Sequence, residues 1–210
     1  MTLPLCLLLA ALVWLCSLLI LPLALPLARV RQGLLALLAL LLAVALSEHP
    51  PLGPELGNGW SPVLLAPVAV AGSMLACFYT PAFNASTRLY AGMLGLHFLL
   101  QLLLHLPDPL LLACSLPAAF ALLLWNQWRT PGQRRLLLAY GLPVCILTAV
   151  LLLAGNSPVL QLLALPLLLG QFPLAAWYPR LFEQAPPGLL AQLLMFQVGC
   201  VLTLATLLTP

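Results

Sequence analysis

Residues 88–106 read RLYAGMLGLHFLLQLLLHL. One arginine opens the run, and neither an acid nor a second arginine follows within it. About 20 apolar residues carry a helix across the hydrocarbon core of a bilayer, and this stretch has that length and character. Three polar side chains interrupt it. His97, Gln101 and His105 are spaced i, i+4, i+8, which on a helix of 3.6 residues per turn places them on one face. The stretch therefore predicts a membrane helix with a polar stripe, and the rest of the chain must say what that stripe meets.

Seven more apolar runs flank it, at 3–28, 33–47, 60–79, 109–126, 136–154, 158–178 and 188–208. The second is short and is expected to tilt little or to thin the bilayer locally. The connections carry the expected punctuation: SEHPPLGPELGNG is rich in Pro and Gly, TPAFNAST is polar, and NQWRTPGQRR is polar and basic. No connection is long enough for a soluble domain. The expectation is an all-α, polytopic transmembrane bundle of about eight helices forming one domain over residues 1–210. Helix 7 is the most disturbed, with Pro166, Gly170, Gln171 and Pro173 close together, which predicts a broken helix at membrane depth. Proline removes a backbone donor and kinks a helix, so prolines such as Pro117 and Pro143 imply neighbours able to satisfy freed carbonyls. Met1–Ala28 lacks a positive leader and is longer than a signal-peptide core, and reads as a retained membrane helix.

Composition closes other classes. The chain is 64% apolar and 5% charged, with a mean hydropathy of +1.15, whereas a soluble domain carries about 25% charged residues. The lipid bilayer is the solvent this implies. Seven scattered arginines make no basic stripe, so no nucleic acid is expected as a partner. Six cysteines, Cys6, Cys16, Cys77, Cys114, Cys145 and Cys200, all lie in apolar runs without ligand-like spacing and read as packing residues.

Charge sets the orientation. Arg29, Arg31, Arg88, Arg129, Arg134 and Arg135 fall in the connections after helices 1, 3 and 5, while Glu48, Glu55 and Asp108 fall in those after helices 2 and 4. Basic connections face the cytoplasm, so the N-terminus is expected outside, in a bacterial inner membrane. Trp60, Trp125, Trp128 and Trp177 stand at helix ends, where an aromatic belt would hold them.

Intramembrane polar groups point to function. The candidate polar path is His97, Gln101 and His105, with Gln171 on helix 7 and Gln197 on helix 8. It reads either as a proton relay or as interhelical hydrogen bonding, and glutamines, which do not titrate, favour the second. Gln161 and Gln192 invite the same reading. Asn84-Ala85-Ser86 matches a glycosylation sequon by chance, since its connection is expected inside. No phosphate loop, metal-ligand spacing or nucleophile with its base is present, so no cofactor, no metal, no catalytic site and no soluble small-molecule substrate are expected.

One segment carries a family resemblance. Residues 171–188, QFPLAAWYPRLFEQAPPG, hold Pro173, Trp177, Pro179, Ala185 and Pro186. Their spacing resembles a stretch of the form P-[LF]-H-x-W-L-P-D-A-H-x-x-A-P-T in the antiporter-like membrane subunits of respiratory complex I, Mrp-type sodium/proton antiporters and membrane-bound hydrogenases. There it ends a proline-interrupted seventh helix and leads into the eighth. Pro117 and Trp125 have the spacing seen in the family's fifth helix. The family's full subunit contains two inverted halves, so the resemblance implies that this chain corresponds to the first. It also implies losses. Leu112 stands where the family has a helix 5 glutamate, Leu168 where it has a helix 7 lysine, and Gln197 near a helix 8 lysine. Ala175, Phe182 and Arg180 replace the motif's histidines and aspartate, and there is no lysine anywhere. Lysine-based proton transfer has no carrier here.

Three readings follow. The first is a non-pumping structural or assembly subunit of a complex-I-like or Mrp-like complex, partnered by other polytopic subunits. The second is a transporting half-subunit completed by another chain. The third is an unrelated small carrier or membrane enzyme. Arg180 and Glu183, i and i+3, read as a solvated pair at the helix 7–8 connection.

Overall fold

The computed structural model describes residues 4–23, 26–48, 62–79, 86–126, 134–135, 137–153, 159, 163–164 and 186–208. Among them the chain is entirely helical, with no strand. In lipid every backbone amide must be satisfied within its own segment, and the helix does this for a leucine- and alanine-rich run. The α-helices are α1 Leu5–Leu19, α2 Leu27–Glu48, α3 Ala66–Tyr79, α4 Thr87–His105, α5 Pro109–Asn126, α6 Leu142–Leu153 and α7 Pro187–Leu208. A 3₁₀ turn, Pro62–Leu65, leads into α3, and a π turn, Leu137–Gly141, leads into α6 just ahead of Pro143. Four helices, α2, α4, α5 and α7, are long and apolar enough to cross a membrane, which makes the chain an integral membrane protein.

Seven described α-helices stand against about eight expected. The span expected at 158–178, with its proline break, lies almost wholly outside the described residues. Several boundaries differ from expectation: α3 begins at Ala66 within the run expected at 60–79, and α6 at Leu142 within that expected at 136–154. Helix 1 stops at Leu19, and α2 is a full 22 residues that already includes Arg29 and Arg31. The cause is Pro26. Its carbonyl accepts Arg29 N at 2.9 Å and Val30 N at 3.2 Å, and as proline it starts a helix more readily than it continues one. The arginines are thus in the opening turns of α2, and the helix is not short.

Three further helix starts, those of α4, α5 and α1, are capped by residues the sequence placed in connections. Ser86 Oγ accepts Leu89 N at 3.1 Å ahead of α4, so the serine of the sequon serves as an N-cap. Asp108 Oδ1 accepts Leu110 N at 2.8 Å and Leu111 N at 3.0 Å ahead of α5. Glu48, the last residue of α2, reaches across to α1 and accepts Leu5 N at 2.9 Å and Cys6 N at 3.1 Å. Both carboxylates sit at the positive ends of helix dipoles, where a negative charge is favoured.

These bonds also fix direction. The start of α1 meets the end of α2, and Arg88 at the start of α4 lies 5.4 Å over the ring of Trp125 at the end of α5. Glu48 and Asp108 gather at one end of the bundle, Arg29, Arg31 and Arg88 at the other. α4 is the hub, packed against α1, α3, α5 and α7. α2 lies against α1 and α3, and α6 lies against α5. Outward faces carry large apolar side chains, among them Leu8 and Leu15 on α1 and Ile146 and Val150 on α6. Ser73, His97, Gln101, Gln192 and Thr203 are buried. Polar inside and apolar outside is the pattern a lipid solvent favours.

Candidate functional site

The polar groups of the interior converge where α3, α4 and α7 meet. Ser73, in the middle of α3, is the centre. Its Oγ lies 2.9 Å from the Ala69 carbonyl, 2.7 Å from His97 Nδ1 and 2.9 Å from Gln192 Nε2. The Gln192 amide oxygen is also within 3.2 Å. A hydroxyl has one hydrogen and two lone pairs, which decides the assignment. If Ser73 donates to the Ala69 carbonyl, it accepts from Gln192 Nε2–H and from His97 Nδ1–H. His97 Nε2, buried and without a hydrogen-bond partner among the described residues, is then a bare lone pair. The alternative, Ser73 donating to His97, leaves an N–H buried and unpaired at that position. An orphaned donor is the more expensive defect, so the Nδ1–H tautomer is assigned.

That assignment has a chemical consequence. The structure pairs a serine and a histidine that the sequence did not, because they lie on different helices. Yet His97 is the donor in the pair and Ser73 the acceptor. The imidazole is not placed as a base that takes the serine proton.

The rest of the expected stripe divides among other partners. Gln101 donates from Nε2 to the Ala66 carbonyl of α3 at 3.2 Å, and its Oε1 lies 4.0 Å from the Cys6 thiol of α1. His105 Nδ1 donates to the carbonyl of Gln101 in its own helix at 2.8 Å. His97, Gln101 and His105 do share a face of α4, with the first two fully buried and His105 half-buried at the helix end. His97 turns to Ser73 of α3, Gln101 to α3 and α1, and His105 back to the backbone carbonyl of Gln101. Gln197 on α7 is half-buried and lies outside these bonds. Thr203 adds one more α7–α4 link, Oγ1 to the Leu103 carbonyl at 3.4 Å.

Gln161, Gln171, Leu168, Ala175, Arg180, Phe182 and Glu183 lie outside the described residues, as do Pro173, Trp177, Pro179 and Ala185 of the motif. Pro186 is described: its carbonyl accepts Leu189 N at 3.0 Å and Leu190 N at 3.1 Å and so opens α7. Leu112 is fully buried in the apolar core. A cavity of about 220 Å³ between α3, α4 and α7 is lined by Leu65, Val68, Leu100, Leu104, Leu194 and Val198, among other apolar groups.

Small residues let the hub pack closely. A Cβ on Gly95 would come within 2.8 Å of Leu122 and 2.9 Å of the Trp14 indole nitrogen, and one on Gly199 would overlap Leu100. Trp14 in turn stacks on Phe98, with ring centroids 5.3 Å apart.

No residue was expected to ligate a metal, yet the helix ends bring Cys6, Glu48 and His105 together from three helices. Their ligand atoms lie within 4.8 Å of one another. Spacing rules find ligands within one element and have no signal for a set distributed over residues 6, 48 and 105. No protein-family model, curated protein or solved structure matches the chain.

Proposed function

We propose that this chain is a membrane-embedded structural or assembly subunit of a larger complex, with no ion path of its own. The observation that carries the reading is the polar cluster around Ser73. Its side chains bond to one another and to backbone carbonyls, and it contains neither carboxylate nor lysine. Such bonds hold helices together in lipid. Among the described residues, the intramembrane interior offers no carboxylate, and Glu48 and Asp108 are committed to capping helix ends. The apolar enclosure of Leu112 supports the same reading, since a carboxylate there would stand in the core.

The family behind the proposal is that of the antiporter-like subunits of complex I and Mrp-type antiporters, resting on Pro173, Trp177, Pro179, Ala185 and Pro186. On that reading the bundle has eight helices, the arginine-bearing end faces the cytoplasm of a bacterial inner membrane, and the N-terminus faces outward. The partners are other polytopic subunits, met through apolar faces such as that of α6. A second reading, a half-subunit whose transport path another chain completes, draws on His97, the one titratable side chain in the cluster.

Purification of the tagged chain in a gentle detergent, with mass spectrometry of what remains bound, tests the proposal. Co-purifying complex-I-like or Mrp-like membrane subunits support it. A chain that emerges alone, folded and monodisperse sinks it and favours an independent carrier. In a recovered complex, His97→Ala leaves ion transport unchanged if the chain is scaffold, and abolishes it if the second reading holds.

A further inference from the structure

We propose that Cys6, Glu48 and His105 form a binding site for a divalent late transition-metal ion of the zinc class, at the acid-bearing end of the bundle. The donors come from three helices: Cys6 from the first turn of α1, Glu48 from the last residue of α2, His105 from the last residue of α4. Their ligand atoms already lie within 4.8 Å of one another. Metal–ligand bonds of about 2.0–2.3 Å put tetrahedral donors about 3.3–3.8 Å apart, so the cluster must close by no more than about 1.5 Å. Glu48 and His105 are half-buried at helix ends, and Cys6 is fully buried.

Three features fit the set to such an ion. The first is the histidine tautomer. His105 Nδ1 donates to the Gln101 carbonyl at 2.8 Å, which leaves the lone pair on Nε2. A ring N–H held by a backbone carbonyl is the usual outer-shell arrangement of a metal-bound histidine. The second is charge. A divalent ion with one thiolate and one carboxylate is neutral overall, which suits a site at the edge of a low-dielectric interior. On binding, the Cys6 thiol releases its proton to water, while the carboxylate and the imidazole contribute lone pairs. The third is the field. The C-terminal ends of α2 and α4, both partially negative, converge on the site. The positive start of α1 opposes them, but the Glu48 carboxylate already covers it through Leu5 N and Cys6 N. Each carboxylate oxygen keeps a second lone pair for the ion. Thiolate and imidazole together select zinc-class metals over magnesium or calcium. Three protein donors leave a fourth position open to water or to a partner's side chain.

The site stands independently of the subunit proposal. Its test uses the full chain in detergent, stripped with a chelator and titrated with Co²⁺ alone. The expected result is uptake of one Co²⁺ per chain with a thiolate-to-cobalt charge-transfer absorption, displaced by Zn²⁺. Cys6→Ser removes the absorption, and both Cys6→Ser and His105→Gln weaken binding by about 100-fold or more, the upper end of what loss of even an outer-shell partner costs. Cys16→Ser and Cys114→Ser change neither. Circular dichroism reports whether each variant folds, and if Cys6→Ser does not, His105→Gln at the half-buried position decides. Absence of stoichiometric uptake by the native chain overturns the proposal, as does uptake unchanged by His105→Gln.

Discussion

Helix α4 buries thirteen of its nineteen residues, and helix α6 two of its twelve. Both are apolar runs, so apolarity alone does not tell them apart. What separates them is where their small and polar residues go. On α4, Gly95 admits Trp14 and Leu122, His97 reaches Ser73, and Gln101 reaches Ala66. On α6, Thr148 turns back to the Val144 carbonyl of its own helix at 2.7 Å, and Ile146, Leu147, Val150 and Leu153 face outward. In lipid, leucine gains nothing by choosing a helix over an acyl chain, so small and hydrogen-bonding residues mark the inside of the bundle.

The sharpest way to break this comparison is to put polarity where the hub has no partner for it. Leu112 on α5 is fully buried, and Ser115, three residues on, is already bonded to the Leu112 carbonyl at 2.9 Å. Leu112→Glu is expected to destabilise the bundle by about 2.5–3.5 kcal/mol, the cost of an acid at membrane depth. Thermal unfolding in detergent measures it. A variant as stable as the parent means that a hydrated path reaches Leu112, and the scaffold reading then fails.

Packing comes next. Gly95→Ala forces either Leu122 or the Trp14 ring, itself stacked on Phe98, to move, and is expected to cost about 1–3 kcal/mol. Gly33 on α2 meets nothing within 4 Å of an added Cβ. There the same substitution gains helix propensity of up to about 1 kcal/mol. Opposite signs for the two, in one unfolding assay, are the expected outcome; equal effects would mean that α4 is not enclosed.

Hydrogen bonding is weaker. A double-mutant cycle of Ser73→Ala with Gln192→Leu is expected to return a coupling of about 0.6 kcal/mol and no more than about 1.7, the range for such pairs in membranes. Thr148→Val on α6 is expected to lie within about 0.5 kcal/mol of the parent, because it breaks no interhelical link. Coupling near zero between Ser73 and Gln192 would reduce the cluster to three unrelated side chains.

Much of this was readable from residues. Runs 88–106, 109–126 and 188–208 correspond to α4, α5 and α7 within a residue or so, because their ends carry Ser86, Asp108 and Pro186, residues with a local reason to start a helix. The end of α1 was missed, since Pro22 and Pro26 lie within an unbroken apolar run and hydropathy does not register a lost amide hydrogen. The face shared by His97, Gln101 and His105 was legible from their spacing. Their partners Ser73, Gln192, Ala66 and Cys6 were not, because pairing across helices depends on which faces meet. Glu48 shows the same limit. As an acid in a proline-rich connection it served only to set orientation, yet it binds the amides of residues 43 and 42 positions away.

The smallest effect concerns the opposite end of the bundle. Arg88 stands 5.4 Å over the Trp125 ring, which joins α4 to α5 where the polar connections begin. A cation over an indole at an exposed site contributes about 0.5–1 kcal/mol, and both side chains here are only partly covered. Arg88→Ala is expected to lose that amount, Arg88→Lys to keep most of it, and Arg88→Ala to add nothing once Trp125→Leu is in place. The order of the three separates ring contact from the general benefit of a basic residue at a membrane boundary. That benefit ignores Trp125 and would leave Arg88→Ala equally damaging in both backgrounds. If so, α5 is held to the hub by Leu122 and its apolar neighbours alone, and the arginine acts on orientation rather than on packing.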